Sequence, residues 1–379
     1  MKASIIRGVF CLCCLLSIGT TALADHASFS DDGPMPIFSS DYLVSEQAEA
    51  PVILTMTFAG DCTLGGTESA NRKADGFVKT TLKKGLEYPF SGLLPLFSED
   101  DITLVNLEGV LSDDSRGENK DKEFAFRGPA AFAQMLPLGS VEAVNLANNH
   151  ALDYGVTGQA ATIAALEESG IAYAGDSYLC IYESNGIKVG LGGIKGSLSQ
   201  GKQDIIKKQI NLLRQAGCQV IVYSLHAGQE YAENHNNLQK DMARFLIDAG
   251  ADAVIGHHPH VVQGMEIYQN RPIFYSLGNC VFGGNHDPKQ AEALVVQIAF
   301  TLENHDLKSL EITLHPILIT LNSRHNDFCP QPAQKKKAGA ILESIQADTS
   351  FPLPPFEDGK GVLLPPIIIP SRAAEDSIE

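Results

Sequence analysis

From Pro51 onward the chain alternates between short, unbroken apolar runs and longer amphipathic stretches. Val-Ile-Leu-Thr-Met-Thr-Phe after Pro51 is β-branched and apolar, the pattern of a buried strand. Similar runs at Ile102–Leu107, Ala143–Leu146, Val189–Gly192, Val220–Ser224 and Ala253–Ile255 predict further strands. Helical periods lie between several of them, at Thr157–Ser169, Asp204–Ala216 and Asn236–Ala249. Gly170 and Gly250 stand where a left-handed residue would end two of these helices. This alternation predicts a largely parallel sheet covered by helices. Val261–Ile267, Pro272–Tyr275, Leu294–Leu302 and Leu307–Leu321 follow without intervening helices and predict a second, more antiparallel sheet. After about Asn322 Pro, Lys and Ser increase, with a basic run at Lys335–Lys337 and one helical stretch at Ala338–Gln346. The segment 351–379 is Pro-rich and ends acidic, a wrapping strap or a loose terminus.

The start of the chain has a different pattern. Lys2 and Arg7 precede the short apolar run Val9–Ile18, and Ala22-Leu23-Ala24 offers a small-x-small cleavage site. Residues 1–24 therefore read as an export signal, and the polar, aperiodic 25–50 as a linker to a domain over 51–350. An exported chain would be periplasmic or extracellular, and membrane-associated if the signal stayed attached. Losing Lys2 and Arg7 would take the formal charge from −17 to −19. The cysteines left, Cys62, Cys180, Cys218, Cys280 and Cys329, are too few and too scattered for a disulfide framework. A sequence pI near 5.0 argues against nucleic acid as a partner.

Polar residues collect at the ends of the predicted strands. Asp61 follows the first, Glu108 the second, and Asn148-Asn149-His150 with Asp153 the third. His226, with Glu230 beyond it, follows Val220–Leu225, and Gly256-His257-His258-Pro259-His260 follows Ala253–Ile255. Loops at the carboxyl ends of strands in α/β sheets converge on one crevice. Asp, Glu, Asn and His together suit one or two divalent ions such as zinc, manganese or iron. Without Cys ligands or an all-carboxylate cage, a structural zinc knot and an EF-hand are disfavoured. Two ions sharing a carboxylate could serve attack on a phosphorus or carbonyl centre.

The runs GDCTLGG, VNLEGVLSD, FRGP, NLANNHALDYG, SLHAGQEY, GADAVIGHHPHVVQGMEIY and IFYSLGNCVF, in this order, resemble the CapA family of bacterial capsule (poly-γ-glutamate) biosynthesis proteins. That family looks distantly related to calcineurin-like metallophosphatases, and the resemblance spans roughly Thr55 to Asp348. It implies an α/β fold, a metallophosphatase-like sandwich of two mixed β-sheets flanked by helices. It also implies metal ligands at Asp61, Glu108 (bridging), Asn149, His226, His258 and His260. His150 resembles the general acid, and Asp153 or Glu230 would orient a ligating histidine. The chain departs from the family patterns at Thr63, where D-x-H would place a histidine, and at Gly66, Ala227 and Cys280.

Two readings follow. One is an exported metal-dependent hydrolase acting on a phosphoester or amide of an anionic envelope polymer or its precursor. The other is a non-catalytic accessory subunit that binds polymer or membrane capsule-synthesis proteins. A plain metal-storage protein is a third, weaker reading.

Overall fold

The computed structural model describes the backbone of residues 10–12, and residues 50–322 and 325–370. Apart from 10–12, the expected export segment lies outside the described residues, as do most of the linker and the acidic end of the tail.

Two large sheets face each other, and each is mixed. The ten-stranded sheet contains Val52–Thr63 paired parallel to Ile102–Leu107, which continues through Ala143–Asn145 to Ala172–Ala174. On its other side Val52–Thr63 pairs antiparallel with Glu292–Glu303, which forms a long hairpin with Asp306–Leu318. The seven-stranded sheet holds Ile187–Lys195, Val220–His226 and Ala253–His257 in parallel, then Arg271–Phe274 and its hairpin mate Met265–Tyr268. Separate parallel and antiparallel sheets, expected from element order, are thus corrected. The late hairpin does not form its own sheet, because its apolar strand Glu292–Glu303 covers the open edge of Val52–Thr63. An uncovered edge of that length would leave a row of buried backbone groups unpaired.

Alternation along the strands decides the layers. Leu54, Met56 and Phe58 point into the space between the sheets, where they meet Val189, Leu191, Val220 and Val222. The intervening Ile221 and Tyr223 point outward, against Ile206, Ile210 and Leu213 of the helix Gln200–Gln215 and Met242 and Leu246 of Asn237–Asp248. On the far side of the ten-stranded sheet, Val105 and Val144 pack on Phe77, Phe97 and Leu166. The result is an α/β sandwich of two mixed sheets flanked by helices. The described part of the C-terminal segment is a strap, with Val362–Leu363 and Ile367–Ile368 paired to Asp306–Leu318. Helix Asn237–Asp248 begins in a capping box, in which Asn236 and Gln239 satisfy each other's backbone N–H.

All five cysteines among the described residues beyond position 50 are buried and unbridged. No helix among the described residues is long and apolar enough to cross a membrane.

Candidate metal centre

The parallel strands of both sheets end on the same edge of the sandwich. Asp61 lies in register with Asn106 and Asn279 on the strands to either side, and Asn106 with Asn145. In the facing sheet His226 lies in register with Lys195 and His257. At Asp61 a side chain cannot be tolerated one residue earlier: a Cβ on Gly60 would fall 1.9 Å from the Gly278 carbonyl oxygen. That close approach lets the Asp61 N–H donate to Gly278 at 3.0 Å, which fixes the carboxylate at the strand end.

Asp61 is fully buried, and its two oxygens are held differently. Oδ1 accepts from the Asn106 amide at 2.7 Å. Oδ2 accepts from the His258 backbone N–H at 3.3 Å and lies 3.1 Å from His260 Nδ1. The turn that delivers these groups is strained: His258 and His260, on either side of Pro259, have φ of 100° and 59°. Non-glycine residues occupy such backbone only where the surroundings impose it, which is common at functional sites.

Glu108 is the centre of the cluster. Both of its carboxylate oxygens are buried and lack any hydrogen-bond partner. Three imidazole nitrogens surround Oε1: His150 Nε2 and His226 Nε2 at 3.8 Å, and His260 Nε2 at 3.9 Å. These separations are too long for hydrogen bonds. They leave room beside Glu108 for a small cation bound at about 2.0–2.2 Å. Donor atoms of Asp61, Glu108 and His260 all lie within 4.8 Å of one another, so this group could hold a metal ion.

The electrostatics agree. Burial, then the Asp61 charge, push the Glu108 carboxyl well above its usual range. Burial also works against ionised Asp61, but the hydrogen bond and charge of His260, aided by His257 and His226, hold it well below the usual carboxylate range. Burial alone would push His260 down; the Glu108 charge and the Asp61 hydrogen bond outweigh it and raise the imidazole to about 10. His226 and His258 are pushed down by burial and so keep a lone pair for a cation. Burial and mutual repulsion thus oppose two charged carboxylates here, and a divalent ion between them would favour the ionised form of both.

The remaining expected residues fall around this core. Asn149 is exposed at the rim, its Oδ1 2.8 Å from His226 Nε2. The His258 ring packs 4.7 Å from that of His226, and its Nδ1 is buried without a partner. His150 is held from behind, Nδ1 to Asp153 Oδ2 at 2.7 Å, and its ring lies 4.5 Å from Phe126. Asp153 thus orients the histidine expected as acid rather than an expected ligand. Glu230 is exposed and makes no hydrogen bond to a site histidine among the described residues. Thr63 is buried with its hydroxyl unpartnered, and offers no imidazole.

Sequence reasoning missed several groups. Asn106 joins Asp61 to His226, its Nδ2 3.3 Å from His226 Nδ1, while its Oδ1 accepts from Asn145 and Asn148. Asn279 Oδ1 meets His260 Nδ1 at 2.9 Å. Lys122 and Lys195 donate to the carbonyls of Asn149 and Asn148, clamping the turn from both sides. Asn106 and Asn145 left one visible signal, an amide inside an otherwise apolar strand.

Residues 55–284 match the family described as bacterial capsule synthesis protein PGA_cap. The chain belongs to this family. It is 29% identical over 332 residues to the PGA biosynthesis protein CapA of Bacillus subtilis (strain 168), covering 81% of each chain. It is 30% identical over 291 residues to the capsule biosynthesis protein CapA of Bacillus anthracis, covering 68% of each. A probable polyglutamine synthesis accessory protein of Mycobacterium tuberculosis is 26% identical over 318 residues, 66% of this chain and 81% of that one. Among solved structures, TT1561 of Thermus thermophilus aligns with 64% of this chain and 94% of its own, at 8% identity and a TM-score of 0.38. The PGA_cap match covers the expected ligands Asp61 through His260 and the Asn279 strand that supports them.

Proposed function

We propose that this PGA_cap protein is an exported, metal-dependent hydrolase of the metallophosphatase type. Its substrate would be a phosphoester or amide of an anionic cell-envelope polymer, such as poly-γ-glutamate, or of a precursor. The observation that carries the reading is Glu108, a carboxylate with two buried, unpartnered oxygens and three imidazole nitrogens at 3.8–3.9 Å. A purely structural buried carboxylate would be paired or hydrogen-bonded.

In this reading Asp61, Glu108 and His260 would hold one divalent ion, and Glu108, Asn149, His226 and His258 would hold a second. A bound zinc, manganese or iron supplies Lewis acidity toward a phosphoryl or acyl oxygen. The chain's own part is positional. Asp153 holds His150 through Nδ1 and so supports its imidazolium form, whose Nε2–H would face the centre and give its proton to a leaving oxygen or nitrogen. The lysines Lys122 and Lys195 fix the Asn148–His150 turn, each also paired with a carboxylate, Asp153 and Asp176 respectively. An exported location, periplasmic or extracellular, and an association with membrane capsule-synthesis proteins belong to the same proposal.

Thr63 favours a second reading, a non-catalytic accessory subunit, because the first ion would lack one nitrogen ligand. The deciding experiment is metal analysis of the purified protein, then hydrolysis assays on model phosphoesters and γ-glutamyl peptides with Zn²⁺, Mn²⁺ and Fe²⁺. Hydrolysis that needs the ion supports the enzyme. Tight metal binding without turnover on any substrate class supports the accessory role.

A further inference from the structure

His257 belongs to neither role assigned so far, yet it lies against the first carboxylate. It ends the strand Ala253–His257 and is 1% exposed, and neither ring nitrogen has a hydrogen-bond partner. Its Nδ1 lies 3.5 Å from Asp61 Oδ1. The backbone beneath the ring is fixed. The His257 carbonyl accepts from the Ala227 N–H at 3.1 Å, and a Cβ on Gly256 would fall 2.1 Å from the Tyr275 carbonyl oxygen. A buried imidazole with both nitrogens unpaired is costly, so its position needs a reason.

We infer that His257 is a positioning residue for Asp61, donating from Nδ1 to the carboxylate oxygen that does not face the metal. The inference rests on the metal reading above. The two sides of Asp61 are chemically distinct: Oδ2 meets His260, whereas Oδ1 meets Asn106 and His257. The compact donor group consists of Asp61, Glu108 and His260, and His257 stands outside it. If Oδ2, the oxygen beside His260, coordinates the ion, Oδ1 is left to Asn106 at 2.7 Å and to His257. At 3.5 Å the second bond is not yet made, and a shift of about 0.5 Å brings it into hydrogen-bond range. Two donors on one oxygen fix both the rotation and the charge of a ligating carboxylate. Such outer partners typically contribute a factor of about 10–100 to metal affinity.

The test is titration of the chelator-treated full chain with Zn²⁺ and with Co²⁺, whose visible absorption reports the ligand set. His257→Ala should bind about 10–100-fold more weakly. The number of ions and the positions of the cobalt bands should be unchanged. His257→Gln, which keeps an N–H donor, should recover most of the affinity. Unchanged affinity in His257→Ala overturns the inference. Loss of an ion, or shifted cobalt bands, also overturns it and makes His257 a ligand. Should His257→Ala fail to fold, His257→Gln and His257→Leu give the same comparison at similar volume, and equal affinities there overturn the inference. A wild-type chain that takes up no ion in this titration removes the metal reading and this one together. Wild-type uptake with no effect of His257 removes this one alone.

Discussion

His150 Nδ1 and Asp153 Oδ2 lie 2.7 Å apart, and the second oxygen of that carboxylate lies 2.6 Å from Lys122 Nζ. Asp153 is fully buried and also accepts from the Phe126 N–H at 2.7 Å, so it is held on three sides. A carboxylate fixed in this way selects the tautomer of its histidine partner. The proton on Nδ1 is committed to Asp153, and Nε2 is presented to the Glu108 side of the cleft. The lysine joins the exposed loop before Phe126 to the turn that carries Asn149.

This arrangement gives the first prediction. His150→Ala should lower turnover by about two to four orders of magnitude. Bound metal and melting temperature should stay near wild type, since in the proposed assignment His150 gives a proton and holds no ion. Asp153→Ala should instead lower stability as well as turnover, because it strands the Phe126 N–H and the Lys122 ammonium. Activity, metal content and thermal melting measured on both variants check the distinction. Loss of metal from His150→Ala would make it a ligand.

The unpaired carboxylate gives the second. In chelator-treated protein Glu108 is a buried carboxyl with no hydrogen bond whose ionised form is disfavoured by burial, so removing the ionisable group should help folding. Glu108→Gln should therefore melt higher than wild type without metal, by an amount on the order of 1 kcal/mol. The same variant should bind metal far more weakly. A lower melting temperature for chelator-treated Glu108→Gln would mean that Glu108 is a structural partner in the metal-free fold.

Much of the site was legible because metal-capable residues sat directly after apolar strand runs, and parallel strands share their carboxyl edge. Asp61, Glu108, His226 and His260 follow from that alone. The sheet partition was not legible. Whether Glu292–Glu303 pairs with Val52–Thr63 or forms its own sheet depends on edge coverage between distant segments, and both choices keep the same local pattern. The supporting amides were hidden for another reason. Asn106, Asn145 and Asn279 have no distinctive spacing, and their value lies in contacts across strands. His257 was visible in the sequence, but choosing between adjacent histidines requires knowing which one faces Asp61.

The third prediction concerns the backbone beneath Asp61. A methyl group on Gly60 would overlap the Gly278 carbonyl, which cannot swing aside like a side-chain tip. Gly60→Ala should cost about 1–3 kcal/mol of stability. Because the overlap pushes apart the strands that carry Asp61 and Asn279, metal affinity should fall too. Denaturant unfolding and metal titration measure the two effects. A Gly60→Ala protein with wild-type metal affinity would show that Asp61 does not need this close strand contact.

The last prediction is the pH dependence of the metal-free protein. His260 is raised from 6.5 to about 10 against the penalty of burial, by the Glu108 charge and the Asp61 hydrogen bond. The folded chain therefore holds this proton more tightly than the unfolded chain. By linkage, the resulting stability is fully present below about pH 6.5 and is lost as pH rises toward about 10. Asp61 acts at the other end: its depressed value contributes stability above the usual carboxylate pKa of 3.8, lost as the pH falls through the folded value. Chelator-treated wild type should thus lose stability steadily between pH 6.5 and 10. His260→Asn should flatten that slope. Ligand imidazoles bind ions in their neutral form, so metal uptake near pH 8 should release the His260 proton, and saturating metal should also flatten the slope. Denaturation at several pH values, with calorimetric titration in buffers of different ionisation heat, reads the slope and the proton release. Metal uptake near pH 8 without release of a proton would show that His260 is neutral in the metal-free fold.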